Sequence, residues 1–354
     1  MKTLLLFDAE TQHYRQSLYA YFQKEFAKHG YQLKVVYDNQ LNTIQGDLFI
    51  GIHYSLKNFN AIIKEHNPGL VILFVWLRYS FLLPFMVYQR LRGLKMITWS
   101  HGINLQKRDH WLMNQLYYIR QRLAHGLIIF SENEKQHIHA SHKKLFVANN
   151  TLNFNDFPFI PLSKEQLKEK YGLSGKKVVL CVGRMNTNNR KPDYLLTGFA
   201  KHAPDNSALV LVGPGFTPNQ EKELANCPQI RYLGAVYDPL IINEIYKMSD
   251  IFCMPGAIGL AINQAFYYGL PMVAEDVFHG PEGIYLKAGQ NGFLFQKGNI
   301  EDMMHKINLL CVDEPLYQKF SQHARETILK EATVEKMCAG FLEAINYLDK
   351  SVER

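Results

Sequence analysis

Short β-rich apolar runs alternate with helical segments along this chain, and they do so in two series. The first series places strand-like runs at residues 3–7, 33–37, 47–52, 70–76, 96–99, 127–130 and 145–148, with helical patterns at 12–28, 56–65, 81–91, 110–123 and 132–139. Apolar strands joined by crossover helices can leave neither sheet face in water, so the pattern predicts a parallel sheet covered on both sides. Residues 149–161 break the series. They are rich in Asn, contain Pro158 and Pro161, and read as a linker. The alternation then restarts, with strand-like runs at 177–182, 208–212, 230–233, 251–254, 271–274 and 292–295. Helices are expected at 164–171, 194–201, 221–226, 239–248, 260–268 and 300–310, and only helix from Pro315 onward. The class is α/β, and 354 residues suit two domains. Ligands of open α/β sheets bind beyond the C-terminal ends of the strands, so two such edges across a cleft would hold a donor and an acceptor.

Charge is unevenly placed. Residues 1–150 hold 18 Lys+Arg against 9 Asp+Glu, a net +9, and 10 of the 14 histidines; residues 151–354 hold 21 against 23, a net −2. A basic half is expected to face something anionic: nucleic acid, an acidic membrane surface or a phosphate-bearing substrate. A solvated basic face without a partner is the alternative reading. No helix-turn-helix, zinc-finger or RNP-type pattern is present in the sequence, so nucleic acid is not the expected partner. Cys181, Cys227, Cys253, Cys311 and Cys338 are odd in number and far apart, with neither zinc-ligand nor disulfide spacing. A reducing, cytoplasmic compartment and no bound metal are the expectation. The first apolar run, residues 4–7, is too short for a signal peptide or a span. The most apolar stretch, 70–88, carries Arg78 near its middle, which disfavours insertion. It reads as a strand followed by a helix in which Phe81, Leu82, Phe85 and Met86 lie beside Arg90, Arg92 and Lys95. Two readings of that helix stay open: a peripheral patch on anionic lipid at the inner face of the cytoplasmic membrane, or an ordinary core helix.

The second series carries the chemistry. "VVLCVGRM" is a strand running into Gly183-Arg184, and "NRKPDYLL" puts Arg190 and Lys191 just before a helix. Cations at a strand's C-terminal end, beside a helix N-terminus, suit a diphosphate. "LVLVGPGF" ends a strand at Gly213-Pro214-Gly215, and "IRYLGAVYDPLIINEIYKMSDIFCMPG" supplies Gly234 and Gly256 at two further strand ends. Read singly, these glycines are turn chemistry.

In this order and spacing, the segment from Val178 to Leu310 resembles the donor-binding domain of retaining glycosyltransferases of family 4. The "GLP" after a helix and the "PEG…GQNGF" tail add to the resemblance. It implies a GT-B architecture: an N-terminal acceptor-binding Rossmann-like domain, 1–157, and a nucleotide-sugar-binding one, 158–332. A C-terminal helix, 333–354, crosses back to the first. It also implies a metal-independent site in which the Gly-Arg arginine and a following basic residue hold the donor diphosphate. Arg184 matches the first; Arg190 or its neighbour Lys191 matches the second. Gly183, Gly213, Gly215, Gly234, Gly256, Gly259 and Leu260 fall at donor-binding positions.

The chain departs from the family at its Glu-x7-Glu motif. "PGAIGLAINQAFYYGLP" puts Gln264 where the second glutamate, the ribose contact, is expected, and Gly256 eight residues earlier. Gln264 can both donate and accept, so ribose binding survives without charge. The first glutamate's contact with the sugar either falls to backbone groups at 256–260 or is lost. In "VFHGPEGI", Phe278 and His279 replace two glycines, while Gly280 and Glu282 match. Glu282 reads equally as a sugar-hydroxyl acceptor and as a first-turn acid. In the first half, "MITWSHGIN" places His101 at a strand end, where the family often has a histidine facing the donor sugar. Glu10, Thr11 and His53 are acceptor-side candidates. The implied activity is retaining sugar transfer from a nucleotide diphosphate sugar, a UDP-sugar first, to a saccharide or lipid-linked acceptor. The setting is cell-surface polysaccharide or lipopolysaccharide biosynthesis, with no separate cofactor. The missing glutamates motivate an alternative, a non-catalytic saccharide-binding or partner subunit. A sugar-nucleotide epimerase on the same architecture is the other rival.

Overall fold

The computed structural model describes residues 1–105, 107–186 and 189–350. The chain forms two units: Met1–Asn153 with the chain from Thr333 onward, and Phe154–Ala332.

The first unit runs β1 (Lys2–Phe7), α1 (His13–Lys28), β2 (Tyr31–Asp38), β3 (Phe49–Ile52), α2 (Leu56–His66), β4 (Leu70–Phe74), α3 (Leu82–Leu91), β5 (Lys95–Trp99), α4 (Trp111–Leu123), β6 (Gly126–Ile129) and β7 (Leu145–Val147). These strands form one sheet, ordered β3-β2-β1-β4-β5-β6-β7 and parallel at every pairing. Alternate side chains enter opposite cores, as a period of two requires. Leu4 and Leu6 join Tyr19, Phe22 and Phe26 of α1, while Leu5 and Phe7 join Phe59 of α2 and Phe85 of α3.

The second unit runs α5 (Lys164–Lys170), β8 (Lys177–Val182), α6 (Pro192–His202), β9 (Ser207–Val212), α7 (Pro218–Ala225), β10 (Ile230–Tyr232), α8 (Pro239–Met248), β11 (Ile251–Met254), α9 (Ala261–Tyr267), β12 (Met272–Glu275), β13 (Gly292–Phe295), α10 (Ile300–Val312) and α11 (Glu314–Glu331). Its strands are ordered β10-β9-β8-β11-β12-β13, again parallel at every pairing. Local signals set the helix starts. Ser163 and Gln166 close a reciprocal capping box on α5, and Asp238 accepts from Leu240 and Ile241 N–H ahead of Pro239.

The last helix, α12 (Val334–Lys350), belongs to the first unit. Val334, Met337, Cys338, Phe341, Ile345 and Leu348 recur at helical spacing and enter the α1 core. Phe341 packs 4.9 Å from Phe22 and 5.0 Å from Trp99, centroid to centroid. One expectation needs correction. The unit boundary lies at Asn153 rather than 157, because Phe154 and Phe157 pack on Tyr267 at 4.9 and 5.0 Å. Of the two readings of α3, the core one holds for the residues named: Leu82, Phe85 and Met86 are buried and Phe81 is half-buried, so they form no surface patch, and the outward side carries other residues. Among the described residues, no helix is long and apolar enough to cross a membrane.

Candidate functional site

In the second unit, the sheet order sets the strand-end glycines side by side. Gly183 N–H donates to the Val212 carbonyl at 2.9 Å and Gly213 N–H to the Gly234 carbonyl at 2.7 Å, linking three adjacent strand ends. The β8–α6 loop is clamped between its neighbours: Met185 N–H reaches the Pro214 carbonyl at 2.8 Å, and Ala257 N–H the Asn189 carbonyl at 2.7 Å. Glycine is required at two of these contacts. Gly213 has φ +136°, and a Cβ there would collide with the Gly183 carbonyl oxygen; a Cβ on Gly256 would collide with the Asn189 carbonyl. Gly215 lies against Asn186.

The three cations of this loop are placed differently. Arg184 is exposed at its start. Arg190 is half-buried, donates through Nη1 to the Ala257 carbonyl, and lays its guanidinium against Gly259. Burial lowers its pKa, an effect opposed by attraction from Cys181, Glu282 and Tyr246. A guanidinium so held still carries its charge. Lys191 adopts a left-handed conformation, φ +49°, at the start of α6. Its ammonium sits 2.7 and 2.5 Å from the two carboxylate oxygens of Glu275, a fully buried residue at the end of β12 that also accepts from Gly298 N–H. The adjacent cations are thus distinguished: Arg190 faces the 256–260 turn and Lys191 is neutralised. The sequence pattern leaves this choice open because Glu275 lies 84 residues away.

The turn at 256–260 leads into α9, with Leu260 at its cap. This helix has seven residues, shorter than expected, so its dipole contributes less than a full-length helix would. Gln264 donates through Nε2 to Asn243 Oδ1 at 2.9 Å, which also accepts from the Tyr268 hydroxyl at 2.9 Å. Gln264 retains its carbonyl oxygen as an acceptor. His279 Nδ1 accepts from Ile258 N–H at 3.3 Å, which puts the ring proton on Nε2. That nitrogen is fully buried, toward the Glu275 backbone. Burial lowers the His279 pKa, an effect opposed by the Glu275 backbone and by the Asp276 and Glu275 carboxylates. Gly280 caps a short 3-10 turn, Pro281–Tyr285, in which Glu282 is buried as a first-turn acid, its Oε2 close to Gly280.

In the first unit, His101 follows β5. Its Nδ1 lies 2.6 Å from Oε1 of buried Glu134, and its ring stacks on Phe130 at 4.4 Å. The other Glu134 oxygen accepts from Phe130 N–H at 2.7 Å. A carboxylate at Nδ1 fixes the tautomer and leaves Nε2 as the acceptor. Sequence reasoning missed Glu134. Its spacing from Ser131 reads as a helix cap, yet the side chain turns to His101. Thr11, at φ +32°, donates its hydroxyl to the Asp8 carbonyl at 2.6 Å, and Glu10 pairs with Arg78 at 3.3 Å and Gln12 at 2.9 Å. His53 is exposed beyond β3. The acceptor-side candidates therefore sit at two separate strand ends, those of β1 and β3.

Comparison with solved structures defines the fold class. The chain matches Anabaena HepE in complex with UDP and glucose at TM-score 0.75, with 15% identity over 98% of this chain and 100% of that one. It matches the lipopolysaccharide outer core galactosyltransferase WaaB, in its apo form, at 0.69, with 16% identity over 98% and 99% of the two chains. The fold is GT-B, two Rossmann-like parallel-sheet domains. Within it, residues 176–313 match the family model described as Glycosyl transferases group 1. An uncharacterized glycosyltransferase of Haemophilus influenzae is 26% identical over 245 residues, 66% of this chain and 65% of that protein. The matched stretch is thus less than two thirds of that relative's length.

Proposed function

We propose that this chain is a retaining, metal-independent glycosyltransferase. It moves a sugar from a UDP-sugar to a saccharide or lipid-linked saccharide acceptor in cell-surface polysaccharide biosynthesis. The observation that carries the reading is the placing of Arg184 and Arg190 on a glycine-clamped strand edge inside the segment that matches group 1 glycosyltransferases. The uridine diphosphate held by HepE and the galactosyl transfer named for WaaB support the donor and acceptor classes.

Departure of the nucleotide leaves negative charge on the β-phosphate. Arg184 and Arg190 stabilise that charge, each contributing about 3 kcal/mol by analogy with preorganised oxyanion donors. His279 holds the turn that lacks the family's first glutamate, through its Nδ1 on Ile258 N–H. Gln264 offers its carbonyl oxygen to the ribose, and Glu282 accepts from a sugar hydroxyl. Lys191 acts through Glu275 as a staple that orients the loop. His101, held by Glu134, accepts a hydrogen bond from a substrate hydroxyl through Nε2. With no carboxylate nucleophile assigned, the acceptor attacks from the leaving-group face and passes its proton to the departing phosphate. Retention follows from that geometry.

Titration calorimetry with UDP tests the reading. Arg184→Ala and Arg190→Ala should each weaken UDP binding by roughly 1.5–3 kcal/mol, the worth of a hydrogen bond to a charged group. Arg184→Ala should also cut transfer about a hundredfold. Unchanged UDP affinity in both variants would remove the diphosphate site. A thermal-shift panel of nucleotides checks the base, since a ligand of the native state raises stability. UDP binding with no nucleotide release from any UDP-sugar would favour the non-catalytic alternative that the missing glutamates motivate.

A further inference from the structure

The outward face of α3 and α4 is built for an apolar, anionic neighbour. In α3, Leu82, Phe85, Met86 and Gln89 face the core. The opposite side carries Pro84, Val87, Tyr88 and Leu91, spaced as one helical stripe, with Leu91 83% exposed. A helix apolar on both sides needs cover on both, and this ten-residue helix is too short to span a bilayer. Beside it, α4 has its polarity reversed. Asn114, Arg120 and Gln121 are buried, while Trp111 (70%), Leu112 (54%) and Ile119 (41%) are exposed. The two helices pack together, and Arg90 Nη1 joins their C-terminal ends through the Leu123 carbonyl at 2.7 Å.

Charge selects the neighbour. Between Glu65 and Glu132 the chain has one acid, Asp109, against eight Lys+Arg. Arg90, Arg92, Lys107 and Arg122 are exposed on or beside the two helices. We propose that the α3–α4 face docks on an anionic lipid bilayer, with Leu91, Tyr88 and Trp111 entering the interface and the arginines meeting lipid phosphates. Aromatic rings settle at headgroup depth, and long cationic side chains reach outward from apolar surface. A second copy of this chain would bring like charges together. The inference is independent of the sugar-transfer chemistry above, because it rests on a surface that chemistry does not use.

Co-sedimentation with vesicles tests it. The full-length protein should partition onto vesicles rich in phosphatidylglycerol, release at high salt, and bind phosphatidylcholine vesicles weakly. Arg92→Gln with Arg122→Gln should lower partitioning about thirtyfold, at roughly a factor of five per basic residue near the surface. Leu91→Ser with Trp111→Ser, both at exposed positions, should lower it with the thermal midpoint unchanged. Equal binding to both vesicle types, no binding to phosphatidylglycerol, or double variants that bind like the parent would overturn the proposal. A solution dimer that dissociates on Leu91→Ser would overturn it by assigning the face to a second copy.

Discussion

Replacing Glu134 by Gln changes what His101 can offer a substrate while leaving the shape around it intact. The buried carboxylate holds His101 Nδ1 at 2.6 Å and Phe130 N–H at 2.7 Å. An amide must keep its oxygen on the Phe130 N–H, so its NH2 faces His101. Nδ1 then has to accept, and the ring proton moves to Nε2. Each bond also changes from charge-assisted to neutral, a loss of roughly 2 kcal/mol across the pair. The stack on Phe130 keeps the ring in place. Long-range proton–nitrogen correlation on histidine-labelled protein, assigned with His101→Asn, reads the tautomer directly. The parent should show Nδ1–H and Glu134→Gln should show Nε2–H. Transfer should fall about ten- to a hundredfold, by analogy with the loss of a metal-bound histidine's orienting partner, with UDP affinity unchanged. A variant that keeps the Nδ1–H form, or transfers at the parental rate, would refute the positioning role.

Phe341→Ala should cost about 3–5 kcal/mol of stability in urea unfolding, because the ring is fully buried between Phe22 and Trp99; a cost under about 1 kcal/mol would show that α12 is dispensable to that core. Burial, reinforced by Arg90, Lys95 and Lys144, pushes His125 from its ordinary 6.5 down to about 4. The unfolded chain therefore takes up a proton that the folded one resists, and stability present above pH 6.5 is lost as pH falls toward 4. His125→Asn retains an acceptor for Met96 N–H and should flatten the fall in thermal midpoint across that window; an unaltered slope would reject the assignment.

Much of the fold was legible because parallel strands buried on both faces must be apolar throughout. Each observed strand overlaps one of the expected strand-like runs, and α8 matches the expected 239–248 to the residue because Asp238 and Pro239 mark its start. What one helix shows its neighbours was not legible. The run at 81–91 is apolar on all sides, so periodicity could not tell core from surface. The structure buries Leu82, Phe85 and Met86 and exposes Tyr88 and Leu91, exchanging the residues that a lipid surface would meet. The boundary at Asn153 was hidden for a related reason: Phe154 and Phe157 look like linker until Tyr267 is brought beside them.

The site divides along the same line between local and distant information. Glycines at strand ends announce themselves, since backbone crowding at Gly213 and Gly256 excludes a Cβ. The roles of charged residues depend on partners that topology supplies. Arg190 and Lys191 are adjacent and chemically alike, yet the β12 end carries a buried carboxylate to one of them alone. His101 and Glu134 lie 33 residues apart and meet because β5 and β6 are neighbours in register, Trp99 opposite Ile128. In both cases a buried glutamate that no motif marks decides what a cation or imidazole has left for a ligand. The second unit turns this into a chemical prediction. Glu275→Gln should loosen Lys191 and raise the salt sensitivity of UDP binding, because a cation freed from its buried partner adds a screened attraction to the diphosphate. Calorimetry across a salt series measures this. A salt dependence identical to the parent's would mean that Lys191 lies beyond reach of the phosphate even when released, and that Arg184 and Arg190 act without it.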